Sequence, residues 1–349
     1  MADFTAYARS RERIVRMCAS AVDARDLRLS VLDELRRLIG FDFYAFVLTD
    51  PETSVGIAPL ADVPAVSELP GLIRLKYLTE VNRWTTLGDP PVALLSDGEL
   101  SRSLLWREML AGHGVRDVAS AVFRDGFGCW AFLDLWRSGA VESFTVDEAG
   151  FLADIAGPVA GALRSCQAST FVAAPAEASR VGPLVLLLSP ELALRGQTPE
   201  THEYLRMLVP PAPHSPPIPA SAFNVAAQLL AVEAGIDSNP PRARVHLSNG
   251  LWLTVRAARI GDAQDAEGRD IAVTIEQALP AERLAVFAKA FALSARETEL
   301  LGHLASGVDT SEVARRMFLS EFTVQDHLKS IFGKTGTHSR RALLSRALG

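Results

Sequence analysis

Residues 293–301 read Leu-Ser-Ala-Arg-Glu-Thr-Glu-Leu-Leu, and they set the reading of the whole C-terminal end. Ser294 with Glu297 three residues later is a capping box, the signature of a helix start. Leu300, Leu301, Leu304 and Ala305 follow at helical spacing, and Gly307 closes the helix. Thr310 opens a second helix with Val313, Ala314 and Met317 inward. After the turn Phe318-Leu319-Ser320, Ser320 caps a third helix with Val324, Leu328, Ile331 and Phe332 inward, ended by Gly336. Ser339 caps a fourth, with Ala342, Leu343, Leu344 and Ala347.

Two short helices joined by a tight turn, the second capped and longer, form a helix-turn-helix pattern. The outward face of the third helix carries Thr323, Gln325, Asp326 and Lys329, with Lys334 near its end. Such side chains donate to phosphates or read base edges. From residue 313 onward there are seven cations against two carboxylates, Glu321 and Asp326, so this end carries +5 on a chain of net charge −6. A basic tail on an acidic body is a local footprint for a polyanion. On periodicity and charge alone, a small helical bundle with a solvated basic face fits as well as DNA binding.

The order of residues goes further. Ser-Glu-Val-Ala-Arg-Arg-Met-Phe-Leu-Ser at 311–320, Thr-Val-Gln-Asp-His-Leu-Lys-Ser-Ile-Phe at 323–332 and Lys-Thr-Gly-Thr-His-Ser-Arg-Arg at 334–341 closely resemble the LuxR-type DNA-binding domain. The resemblance covers about the last 57 residues. It implies a four-helix domain whose third helix enters the major groove and whose last helix pairs with a second copy. Residue by residue, Gln325, Asp326 and Lys329 fall on base-reading positions. Thr323, Lys334, Ser339 and Arg340 fall near the phosphate backbone, and Leu343 and Leu344 on the dimer contact. Thr323 also suits a capping role, and Val324 suits the core. Asp326 departs from the polar or basic residue of many relatives, and Gly333 should loosen the last turn of the helix.

The rest of the chain is acidic, and 349 residues suggest two or three domains. No apolar run is long enough to span a membrane, and Met1 to Arg16 lacks a signal-peptide core. A cytoplasmic protein with no membrane partner is expected. Cys18, Cys129 and Cys166 are odd in number and widely spaced, which suits a reducing compartment and builds no zinc site.

Residues 6–24 and a stretch from Asp26 read as helices, and 41–48 and 55–60 as strands. A helix over 69–78 and a loop-rich stretch over 84–100 follow. Ser101 or Ser103 starts a helix through Leu110. Strands over 115–123 and 129–136 form a hairpin, and Thr145 caps a long closing helix. This order resembles a GAF domain, which implies a pocket between sheet and loops, with Trp84, Trp106, Trp130 and Trp136 as candidate lining residues. Large aromatics filling a core is the competing reading. Further on, strands over 184–188, 244–247, 251–257 and 270–276, with helices at 199–207 and 223–234, resemble a PAS-like domain. Residues 209–221 are rich in proline and read as an extended loop, and Asn249-Gly250 as a hairpin turn.

The expected fold is therefore multidomain. An α+β GAF-like sensor domain with an N-terminal helix covers 1–170, and a linker covers 171–181. An α+β PAS-like domain follows over 182–278, then a connector helix over 279–290. An all-α four-helix LuxR-type helix-turn-helix domain covers 291–349. No nucleophile elbow, zinc-protease motif or phosphate-cradling loop is present, and a receiver-type acidic cluster is not evident. The expected function is sequence-specific DNA-binding transcriptional regulation, not catalysis. Double-stranded DNA and a second copy are the expected partners, an unidentified small molecule is a further one, and no cofactor or metal is expected. The alternative is a signalling or scaffolding protein whose basic tail contacts protein.

Overall fold

The computed structural model describes residues 2–139, 142–171, 184–201, 220–247, 251–261 and 269–349. Helices α1 (Ala2–Ser20) and α2 (Ala24–Leu38) open the chain, and the Asp23 carboxylate caps α2 by accepting from the amides of Arg25 and Asp26. There follow β1 (Phe43–Thr49), β2 (Gly56–Asp62), α3 (Leu69–Leu78), β3 (Val92–Leu94), β4 (Val115–Asp125), β5 (Gly128–Ser138) and α4 (Val146–Ser169). The strands form one antiparallel sheet in the order β2-β1-β5-β4-β3. Strand alternation divides β5. Ala131, Leu133 and Leu135 join the core beneath α4, whereas Phe132, Asp134 and Trp136 face α3.

The second module holds β6 (Leu184–Leu188), β7 (Leu194–Gln197), α5 (Ala220–Glu233), β8 (Arg242–His246), β9 (Trp252–Arg259) and β10 (Ile271–Gln277). Its sheet order, β7-β6-β10-β9-β8, repeats the first: second strand, first, fifth, fourth, third. Both modules are thus the antiparallel α+β units expected. Helices α6 (Pro280–Ala290), α7 (Ala295–Ala305), α8 (Thr310–Met317), α9 (Glu321–Thr335) and α10 (Arg340–Leu348) complete the chain.

The modules are not beads on a string. Helix α5 packs against α3 and β2 on one side and β9 on the other, and almost every residue from Ala220 to Ala231 is buried. A helix apolar all round is one enclosed on all sides. Ion pairs cross the same seam, two of them deeply buried. The Asp50 carboxylate, fully buried, accepts from Arg244 Nε at 2.7 Å, Arg244 Nη2 at 2.5 Å and the Arg244 amide at 2.8 Å. Asp237 accepts from Arg83 Nη2 at 2.6 Å. Burial pushes the Asp50 carboxyl up, but the charge and hydrogen bonds of Arg244 overcome it and hold it below the ordinary carboxylate range.

A second joint ties the body to the C-terminal helices. Phe171, fully buried, stacks on Trp252 of β9 with ring centroids 4.6 Å apart and meets Phe287 of α6 edge-on at 5.2 Å. Its carbonyl accepts from Arg346 Nε of α10 at 2.8 Å. Lys289 of α6 donates to the Phe127 carbonyl at 3.0 Å, next to the β4–β5 turn. The expected linker thus begins with a core residue.

Several local expectations are corrected. The helix expected from Ser101 or Ser103 runs over residues 104–110, starting after Ser103, whose Oγ accepts from the Trp106 amide at 3.2 Å, but it is π-type over most of its length. A 3-10 turn over Leu100–Arg102 precedes a π-type turn over Trp106–Leu110. Strand β3 lies in the stretch read as loop, and β7 was not expected at all. Asp309, outside the helix, caps α8 by accepting from the Glu312 amide at 2.9 Å. Residues 199–201 are helical as expected. The remainder of that helix, the proline-rich stretch as far as residue 219, residues 172–181 of the linker and Asn249-Gly250 lie outside the described residues.

Candidate nucleic-acid interface

Each of the last four helices is set by its own cap. Ser294 Oγ accepts from the Glu297 amide at 3.2 Å while Glu297 Oε2 accepts from the Ser294 amide at 2.6 Å, completing the expected box. Ser320 Oγ accepts from the Thr323 amide at 3.1 Å, and Ser339 Oγ from the Ala342 amide at 3.1 Å. Gly336 ends α9 in the left-handed region, with φ +63°, and the helix passes through Gly333 unbroken. The turn between α8 and α9 is made by Phe318, itself left-handed at φ +56°.

Helix α9 buries Val324, Leu328 and Ile331 against the bundle. Its opposite side exposes Gln325, Asp326 and Lys329 on one stripe. Lys329 Nζ lies 3.2 Å from Asp326 Oδ1 with most of its side chain in solvent. An exposed pair of this kind holds its partners by about 0–1 kcal/mol, so the lysine is free to turn to a stronger anion.

The other expected DNA contacts are distributed differently. Thr323 is half-buried and its hydroxyl meets that of Ser320 at 2.8 Å, which supports the capping role. Ser339 is exposed and serves as the cap of α10. Arg340 donates to the Val308 carbonyl, tying α10 to the loop before α8. Lys334 points back into the domain, donating to Glu297 Oε2 at 2.6 Å and to the Ala292 carbonyl at 3.1 Å. Arg346 is turned into the joint at Phe171, so the basic charge counted from the sequence is only partly displayed outward. Leu343 is fully buried within its own chain, where α10 packs on α6 and α7, and Leu344 is half-buried beside it. As placed, Leu343 presents nothing to a second copy; the helical pattern gave an inward face without saying what would cover it.

The Lys334 contact makes a prediction. Burial pushes the Glu297 carboxyl up, but hydrogen bonds from Lys334, Ser330 and the Ser294 amide more than offset this and hold it at about 2. A carboxyl depressed in the folded state stabilises it above the ordinary value of 4.5 and ceases to do so as pH falls from there toward about 2. Lys334→Ala should therefore cost about 2 kcal/mol at neutral pH and flatten the acid loss, measured by urea unfolding at pH 7 and pH 3. An unchanged midpoint at both would show that Lys334 does not hold Glu297.

The four tryptophans do not share a pocket. Trp136 lines a cavity of about 40 Å³ between β5 and α3, beside Phe132 and the buried pair Lys76–Asp134, which lie 2.7 Å apart. Its Nε1 has no acceptor among the described residues. Trp84 stacks on Phe132 at 4.5 Å and donates to the Ser54 carbonyl. Trp106 donates to the Val115 carbonyl, and Trp130 to Asp125 in the core on the α4 side. Three of the four are accounted for as core or anchoring residues. Asn224 of α5 also reaches the Trp136 cavity, a contribution from the second module that sequence order gives no means to foresee.

One residue missed by the sequence reading sits on the α9 stripe. Phe322 is 73% exposed, three and four residues before Gln325 and Asp326 and seven before Lys329. The same helical period that located those three would have found it.

Comparison with known proteins bears on this end of the chain. Residues 292–347 match the family described as bacterial regulatory proteins, luxR family. A probable HTH-type transcriptional regulator, GfsR of Streptomyces halstedii, is 47% identical over 58 residues, 17% of this chain and 24% of that protein. The fimbriae Z protein of Escherichia coli K12 is 42% identical over 55 residues, 16% of this chain and 26% of that one. The chain thus matches about a quarter of the length of these curated relatives. Among solved structures, Escherichia coli SdiA aligns over 97% of this chain and 94% of its own at 12% identity, with a TM-score of 0.36.

Proposed function

We propose that the chain is a sequence-specific DNA-binding transcriptional regulator in which α9 reads the major groove and two copies act together. The observation that supports this best is the exposed stripe Gln325-Asp326-Lys329, on a capped helix buttressed by Val324, Leu328 and Ile331, inside the segment that matches the luxR family. Asp326 is suited to accept from cytosine N4, and Lys329 to donate to guanine. The site is one for recognition, not catalysis. Two copies would place their α9 helices about one helical turn of DNA apart on a pseudo-palindromic site. With Leu343 enclosed, the outer side of α10, where Arg341, Ala342 and Ser345 are exposed, remains for a partner copy. A small-molecule effector is the further proposed partner, and the cavity beneath Trp136, about 40 Å³, would have to widen to admit one. Among the described residues no helix is long and apolar enough to cross a membrane, and the cytoplasm is the proposed compartment.

The test is selection of duplexes from a random-sequence library with the full-length protein, with Lys329→Ala alongside. The variant should lose about 1–3 kcal/mol at the selected site and relax its sequence preference. Full affinity and preference in Lys329→Ala would refute the docking of α9. Affinity should also fall steeply with salt.

A further inference from the structure

We propose that Phe322 is a specificity-determining residue that reads the 5-methyl group of a thymine in the major groove. The inference rests on the reading of α9 as the DNA-facing helix. Phe322 stands in the first turn of α9, and the N-terminal residues of a recognition helix are those that reach base edges. It shares its stripe with Gln325, Asp326 and Lys329, so a duplex that meets those side chains meets the ring as well. The ring is 73% exposed and the nearby ammonium of Lys329 lies 6.0 Å from its centroid. The polar part of the stripe therefore surrounds an apolar group that has no apolar cover in the free protein. In the major groove the thymine methyl is the apolar group among donors and acceptors, and a phenyl ring is one of the side chains that contacts it. Phe318, 95% exposed in the turn, lies outside the stripe and serves as an internal control.

The experiment uses the full-length protein and the duplex it selects from a random-sequence library. Each thymine of that duplex is replaced in turn by deoxyuridine, which removes the methyl and leaves every hydrogen-bonding group in place. Wild type should lose about three- to five-fold in affinity at one thymine per half-site, the worth of one buried methyl. Phe322→Ala should bind the thymine duplex about that much more weakly and be indifferent to the deoxyuridine at that position. Phe322→Leu and Phe318→Ala should keep the methyl sensitivity. A wild type indifferent to deoxyuridine at every position, or a Phe322→Ala variant that keeps the wild-type ratio between the two duplexes, would overturn the proposal while leaving α9 as the reading helix. A Phe322→Ala variant that weakens selected and random duplexes alike, with no change in methyl sensitivity, would likewise overturn it and put the ring on the sugar–phosphate backbone. Failure of the wild type to enrich any duplex would instead sink the DNA reading itself, and this proposal with it.

Discussion

Replacing Phe171 with alanine is expected to lower the unfolding free energy by about 3–5 kcal/mol. The ring is fully buried and touches two separate parts of the chain: Trp252 of the second sheet, and Phe287 of α6 with Phe291 just beyond it. Arg283 lies over it at 5.5 Å. Removing the ring opens a cavity whose walls belong to different units, and such walls cannot collapse without moving those units apart. The same change should therefore separate the unfolding of the C-terminal helices from that of the body, seen as a split or broadened transition in a calorimetric scan. A loss below about 1 kcal/mol with a single sharp transition would contradict the packing described, since surface aromatics lose no more than that.

The second large effect is at Arg244. Arg244→Met should cost about 3–5 kcal/mol at neutral pH, because it leaves the Asp50 carboxylate buried without its cation. The pH dependence fixes the cause. With Arg244 present, Asp50 is held below its ordinary value of 3.8, so its contribution is in place above that value and disappears as pH falls below it. Without the Arg244 guanidinium, burial is opposed only by backbone amides and the carboxyl rises, so the variant should recover part of its deficit relative to wild type as the solution is acidified toward pH 4. The double change Arg244→Met with Asp50→Asn should also recover part of it, since an asparagine oxygen still accepts from the amides of Glu52 and Thr53. A deficit independent of pH and of the second substitution would point to lost packing of the arginine stem instead.

These two sites show where sequence reading reaches its limit. Caps and periods are local, and they were legible. Ser294 with Glu297, Ser320, Ser339 and Gly336 bound the helices as expected, and α3 spans Leu69–Leu78 as its pattern predicts. The β4–β5 hairpin was equally clear from its aromatic and branched residues. Strand β7 was not legible, because Leu194 to Gln197 is an edge segment that buries no alternating face. The Asp50–Arg244 pair joins residues 194 positions apart, and no local signal marks either as a partner. Lys334 illustrates the same limit within the site. Its position fits a phosphate contact, yet Glu297, brought close only by the fold, claims its ammonium. The period also gave Leu343 an inward face, but a period cannot say whether the cover comes from the same chain or another.

The burial of α6 bears on how a regulator of this build would measure its operator. Val286 and Phe287 are fully buried between body and tail, so the C-terminal helices are bolted to the body and do not hang from a tether. If two copies bind one operator as proposed, the distance between its half-sites is fixed by how two whole molecules face each other, as the jaws of a caliper are fixed by its frame. A change in packing anywhere along the frame would be felt at the operator as a change in spacing, without any alteration of the side chains that read the bases.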